Sequence, residues 1–223
     1  MILGAICARG GSKGVPNKSV RLMNGKPLIH WTIDRALSCH SLDKIVVSTD
    51  DAYIASIASQ YPVTVNLRPP YLAQDDTSKW DVFRYLAGQY SFDVLVDLDT
   101  GCPLRSKDDI TNCVIKLKMT QADVVVTAYE SERNPFFNMV LSSGSIVCRD
   151  DWTNPITRRQ DAPAVYSLSP SVFAINARCL FQVNHWANVD LRIHIVPRTR
   201  AWDIDTQEDW DFVEFLMKGK LCA

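Results

Sequence analysis

No stretch of the sequence approaches the roughly 18 uninterrupted apolar residues of a membrane-spanning helix. The opening "MILGAICA" is too short, and lacks the basic leader, to serve as a secretory signal. An excess of charge is missing too: 24 Lys and Arg against 25 Asp and Glu leave a formal net charge of −1. No global field therefore draws in nucleic acid or an anionic membrane, and any anion site must be local. The seven cysteines (Cys7, Cys39, Cys102, Cys113, Cys148, Cys179, Cys222) are odd in number, scattered, and without a C-x-x-C pair. That pattern argues against a disulfide framework and a zinc site and for a reduced, cytoplasmic compartment. The four histidines (His30, His40, His185, His194) have no metal-ligand spacing, and G-x-S-x-G is absent, so nucleophilic catalysis has little support. G-x-x-x-x-G-K-[ST] and G-x-G-x-x-G are absent as well, which excludes a P-loop and disfavours an NAD-linked oxidoreductase.

What is present alternates. "ILGAIC", "KIVVSTD", "VTVNL", "FDVLVDLD" and "ADVVVTAY" read as five strands, separated by helices over "HWTIDRALS", "DAYIASIASQY", "SKWDVFRYLAGQ" and "SKDDITNCVIKLKM". Ser106 and Asp109 have capping-box spacing at the last of these, and Thr206 and Asp209 repeat it before "DWDFVEFLMK". This rhythm predicts an α/β fold: a doubly wound, mostly parallel sheet in a single domain spanning 1–223. It breaks after residue 129, where "FFNMVLSSGSIVCRDD" suggests a hairpin and "AVYSLSPSVFAIN" another extended stretch, so 130–176 reads as a β-rich inserted subregion. "LRIHIVP" then resumes the pattern.

The chemistry-bearing residues gather at strand ends. "ARGGSKGVPNKS", residues 8–19, follows the first strand, and the roughly twenty residues before the next helix are longer than a plain connection needs. Gly10, Gly11 and Gly14 could turn backbone N–H groups inward as an anion nest, with Arg9, Lys13 and Lys18 adding full charges. A triphosphate is the natural guest, the bland alternative being a solvated loop with turn glycines. If the first four strands lie in the order 3-2-1-4, "DLDTGCPLR" leaves the sheet beside this loop, where open α/β sheets bind their ligands. In "WDIDTQ", Asp203 and Asp205 lie two apart in extended chain, on one face that could hold Mg²⁺. Asp97 and Asp99 repeat the geometry and could form a second metal face, accept a sugar hydroxyl, or be satisfied by nearby backbone.

The segments "CARGGSKGVPNKS", "LMNGKPLIHWTI", "KIVVSTDD", "LRPPYLAQDDTS", "PLR" and "DIDT" resemble, in order and spacing, the acylneuraminate cytidylyltransferases, or CMP-sialic acid synthetases. The resemblance spans nearly the whole chain and is weakest over 130–176. It implies a Rossmann-like nucleotidyltransferase fold and a Mg²⁺-dependent attack of a sugar's anomeric hydroxyl on the α-phosphate of CTP. By motif, Arg9, Lys18, Asp203 and Asp205 would be catalytic. Arg9, Gly10, Gly11, Ser12, Lys13, Gly14, Lys18, Ser19 and Arg68 would bind the nucleotide, and Asp203 and Asp205 the metal. Asp97, Asp99, Arg105, Arg158 and Arg159 would face the sugar, the last two from a dimerisation element reaching into the partner's pocket, so a homodimer is expected. The chain departs from the family pattern at Ser19, where Asn is usual, at Asp99, where Gln is usual, and at Pro170-Ser171, in place of Asn-Gly. Alternatives are a different acidic sugar or base, and a catalytically silent nucleotide-binding homologue.

Overall fold

A computed structural model describes residues 1–148, 156–183 and 188–221; His185, Cys222 and the centre of the 130–176 segment lie outside the described residues. The first strand, β1 (Ile2–Cys7), pairs in parallel with β4 (Lys44–Thr49) on one side and β6 (Val94–Asp97) on the other. β4 in turn pairs with β5 (Thr64–Leu67), giving the run β5-β4-β1-β6, which is the order 3-2-1-4 supposed above for the first four strands of the sequence reading.

Alternation along the strands sorts side chains onto two faces. Ile2 and Ile6 of β1 with Val94 and Val96 of β6 pack beneath α1 (Leu28–Leu37), α2 (Ala52–Ala58) and α4 (Lys107–Thr120). Leu3, Ala5 and Leu95 face the other way, against Trp80, Phe83 and Leu86 of α3 (Lys79–Gln89). With helices on both faces, the sheet is doubly wound, as expected. Ser106 and Asp109 close the capping box of α4, and Thr206 and Asp209 exchange the same bonds at the start of α5 (Gln207–Leu221).

Two features differ from the sequence reading. The stretch after β1 carries a small hairpin, β2 (Leu22–Met23) and β3 (Lys26–Pro27), whose turn residues Asn24 and Gly25 both have positive φ, 50° and 77°. Asn-Gly adopts that conformation at low cost. The stretch "AVYSLSPSVFAIN" forms β8 (Tyr166–Asn176), which lies inside the main sheet, antiparallel to both β6 and β7 (Val124–Glu130). β9 (Leu191–Ile195) completes the order β5-β4-β1-β6-β8-β7-β9. The segment 130–176 thus ends in a core strand. Its Ser-Ser-Gly turn closes with one ladder bridge, Val140 to Ile146.

Between Leu168 and Phe173 the β8 ladder bulges opposite Thr127. Thr127 Oγ1 accepts the Val172 N–H at 3.1 Å and donates toward the Ser169 carbonyl at 3.0 Å, so the backbone polar groups of the bulge are satisfied internally. The family's Asn-Gly position is occupied here by Pro170, which has no N–H to leave unpaired.

Candidate active site

β1 and β6 are parallel neighbours, and the chain leaves β1 toward β4 and β6 toward β7, in opposite directions along the sheet, so their carboxyl ends flank a topological switch point. A cavity of about 400 Å³ opens there. Of the residues singled out from the sequence, Arg9, Ser12, Lys13, Gly14, Lys18, Ser19, Arg68, Asp99 and Asp205 all line it. Tertiary packing, rather than sequence proximity, brings residues 9 and 205 to one cavity.

The glycines do not form the anticipated nest. Among Gly10, Gly11 and Gly14 none has positive φ; the left-handed residue of the loop is Asn17, at 54°. Gly14 is needed for close approach instead. A Cβ there would collide with the Asp205 carbonyl oxygen and stand 3.1 Å from its carbon. The basic loop is thereby pressed onto the acidic segment.

Lys18 fastens that contact, donating to the Ile204 carbonyl at 2.7 Å with Asp205 Oδ1 3.9 Å away. Ile204 itself is fully buried, and its backbone N–H donates to the Gly101 carbonyl at 3.0 Å. The chain on either side therefore carries Asp203 and Asp205 toward the site. Arg9 and Lys13, by contrast, converge on an acid across the cavity: Arg9 Nη1 lies 3.0 Å from Asp75 Oδ1, and Lys13 Nζ 2.5 Å from Asp75 Oδ2. Their bonding, Lys13's first, holds the exposed Asp75 carboxyl below its ordinary pKa. Arg68 is buried, donates to the Ser48 carbonyl at 2.6 Å, and keeps its Nε without a partner.

The second acidic cluster is more tightly held. Asp97 is buried at the end of β6 on the face that α3 covers, and Asp99 follows two residues on. Lys79, the first residue of α3, bridges them, with Nζ 2.9 Å from Asp97 Oδ2 and 2.5 Å from Asp99 Oδ2. Burial pushes the Asp97 carboxyl up, against the pull of Lys79. Burial also opposes the charge on Asp99, yet Lys79 and the Gly101 N–H outweigh it and hold that carboxyl well below the usual range. Beneath them the fully buried Arg105 donates to the Asp99 backbone carbonyl and toward Ser171 Oγ at 3.4 Å.

The sequence profile of the family described as "Cytidylyltransferase" matches residues 3–175, most of the chain. This chain belongs to the cytidylyltransferase family. A Campylobacter coli protein named "Post-translational flagellin modification protein B" is 35% identical over 226 aligned positions, covering 98% of this chain and 96% of the relative. A Campylobacter jejuni relative named "CMP-N,N'-diacetyllegionaminic acid synthase" is 34% identical with the same coverage. Among solved structures, a CMP:2-keto-3-deoxy-manno-octonic acid synthetase complexed with CTP superposes with a TM-score of 0.76 at 17% identity, covering 98% of this chain and 99% of that one. The fold is thus that of nucleotidyltransferases, and the resemblance read from the motifs stands.

In this cytidylyltransferase the paired acids carry an electrostatic tension. Asp203 Oδ1 is buried without a hydrogen-bond partner. Burial, then Asp99, then Asp205 push its carboxyl up to about 6. A methyl group at Gly101 would collide with Asp203 Oδ1 and lie 3.3 Å from both Asp99 Oδ1 and Lys18 Nζ, which locates all three over one glycine. Converging hard oxygens with one lone pair set unsatisfied suit a divalent cation such as Mg²⁺. Cys7 lines the cavity, but burial pushes its thiol up to about 12, which disfavours the nucleophilic thiolate.

Arg158 and Arg159 lie apart from this cavity. Arg158 pairs with Asp161 at 2.8 Å, and Arg159 donates to the Ser131 carbonyl at 3.2 Å. Lys79 and Asp75 are the site residues that sequence reasoning missed. Lys79 left a trace: a cation at the first helical position opposes the helix dipole, an arrangement that calls for a nearby acid. Asp75 left none, being one of two adjacent acids in "AQDDTS".

Proposed function

We propose that this chain transfers CMP from CTP to the anomeric hydroxyl of a nine-carbon or related 2-keto acid sugar, releasing pyrophosphate. One observation carries the reading: Arg9, Ser12, Lys13, Lys18 and Arg68 converge on a single cavity with Asp205 at its edge. The cations of the cavity suit a polyphosphate, and the acids beside them suit the metal that accompanies it. The relative named for a CMP-linked legionaminic acid supports an acidic sugar as the acceptor.

On this reading Arg9 and Lys13 exchange Asp75 for phosphate oxygens and orient the triphosphate. Lys18 holds the acidic segment against the basic loop, and Arg68 binds beside the nucleoside. Asp203 and Asp205 would hold Mg²⁺, which when bound offsets phosphate charge and lowers the pKa of a hydroxyl beside it. No protein nucleophile is required, in keeping with the protonated Cys7 thiol. Catalysis then rests on positioning and charge neutralisation, the usual means for transfers at phosphorus.

A second copy of the chain completes the assembly. Met139, Val140, Leu141 and Val147 expose apolar surface within the segment expected to mediate dimerisation. Arg158 and Arg159, away from their own cavity, would serve the partner's. The six described cysteines are free, which supports a cytoplasmic setting; among the described residues no helix is long and apolar enough to cross a membrane.

The test is pyrophosphate release with Mg²⁺ across four nucleoside triphosphates and a panel of acidic sugars. Release with CTP and an acidic 2-keto sugar is the expected result. CTP binding without release for any sugar would refute the reading, and a monomer in sedimentation would refute the dimer.

A further inference from the structure

The Lys79 ammonium joins two cavities. One is the nucleotide cavity; the other, of about 290 Å³, is walled by Trp80, Phe83, Pro170 and Phe173, and both are lined by Lys79 and Asp99. If the first takes CTP, the second offers the acceptor a space that shares Lys79 and Asp99 with it. The inference rests on the cytidylyl-transfer reading above.

An acid at position 99 would repel an acidic sugar at close range. The structure supplies the remedy in a residue with no other evident purpose. Lys79 sits where the helix dipole disfavours it, and its two carboxylate contacts are both short. Its helix is fixed from behind: Trp80 Nε1 donates to the Val183 carbonyl at 2.9 Å and Arg84 Nε to the Leu180 carbonyl at 2.7 Å. An ammonium has three donors, and two are engaged, leaving one for a ligand. Asp99 Oδ1 accepts from Gly101 N at 2.8 Å and Oδ2 from Lys79, and each oxygen keeps acceptor capacity.

We propose that Lys79 is the specificity-determining residue of the sugar site: by bridging Asp97 and Asp99 it converts an anionic wall into a charge-balanced donor–acceptor pair. That pair receives a neutral hydroxyl or amide substituent of the sugar and leaves the sugar's carboxylate to be bound elsewhere. A lone Asp99 would exclude an anionic substrate, and a lone Lys79 would attract its carboxylate. Together they do neither, and they match a group that both donates and accepts.

The experiment compares the steady-state KM for sugar and for CTP in wild type, Lys79→Met, Lys79→Arg, and Lys79→Met combined with Asp99→Asn, using the best acidic sugar of the panel. Lys79→Met should raise the sugar KM at least about tenfold, and at least about fivefold more than the CTP KM, by unmasking two acids. Lys79→Arg should recover most of the loss. Neutralising Asp99 in the double variant should lower the sugar KM again while leaving the CTP KM where it was, a selectivity that a merely structural lysine would not give. An unchanged sugar KM in Lys79→Met, equal rises for both substrates, or no recovery in the double variant would each overturn the inference. Wild type inactive with CTP and every sugar would instead overturn the functional reading beneath it.

Discussion

Gly14→Ala is a demanding test of how the site is assembled, because the structure gives glycine there one reason only. The added Cβ would overlap the Asp205 carbonyl oxygen and stand 3.1 Å from the carbon behind it. The neighbour is backbone, pinned by the Ile204 N–H on Gly101 and by Lys18 on the Ile204 carbonyl, so it cannot swing aside as a side chain would. Relief requires the loop and the acidic segment to part by on the order of 1 Å, and a misplacement of that size costs about 10²-fold in rate at a positioned site. Overpacking of this kind costs about 1–3 kcal/mol of stability, or about 2–12 °C in Tm for a chain of this length. The assay is pyrophosphate release alongside thermal unfolding. Gly88→Ala is the control: Gly88 lies within α3 with nothing near its would-be Cβ, and alanine should raise stability by about 0.5–1 kcal/mol. Gly14→Ala turnover within about threefold of wild type would refute the claim that this contact sets the spacing of the basic loop and the acidic segment.

Asp203→Asn should abolish turnover while leaving the fold intact, as read by circular dichroism; near wild-type turnover would remove Asp203 from the site. The same variant has a pH signature. Burial and the neighbouring acids raise the folded Asp203 carboxyl from 3.8 to about 6, so the folded chain holds its proton more tightly than the unfolded chain. Stability then falls as pH rises from about 4 to about 6, by at most about 3 kcal/mol, and is not regained at higher pH. In chelator the asparagine variant should lack this slope, and Mg²⁺ should flatten it in the wild type; an identical slope in both proteins would refute the assignment. Asp75→Asn frees Arg9 and Lys13, so CTP should bind about two- to fivefold tighter at low salt, the gain shrinking as ionic strength rises. Unchanged or weaker CTP binding by calorimetry would show that Asp75 does not compete for those cations.

Much of the fold was legible because strand and helix periods differ. Ile2, Ile6, Leu3 and Ala5 fall on alternate faces by simple parity, and the capping pairs Ser106–Asp109 and Thr206–Asp209 mark where their helices begin. β8 was harder. An antiparallel strand threaded between β6 and β7 has the same local pattern as one in an inserted hairpin, and only pairing partners distinguish them. The anion nest expected of Gly10, Gly11 and Gly14 was hard to judge for a related reason, since a glycine kept for close approach, as Gly14 is, looks the same in sequence as one kept for left-handed backbone.

By itself the sequence determined where the strands of the parallel run and the helices that cover them lie along the chain, and which charged residues stand at strand ends, because period and capping are properties of neighbours along the chain. Tertiary structure alone decided which charges meet. Asp75 across from Arg9 and Lys13, Lys79 between Asp97 and Asp99, and Asp203 set over Gly101 beside Asp99 are contacts between segments far apart in the chain. Coulomb energies depend on separations of a few ångströms in a low-dielectric cleft, and those separations exist only once the sheet has brought the ends of β1 and β6 together with the turn before α5.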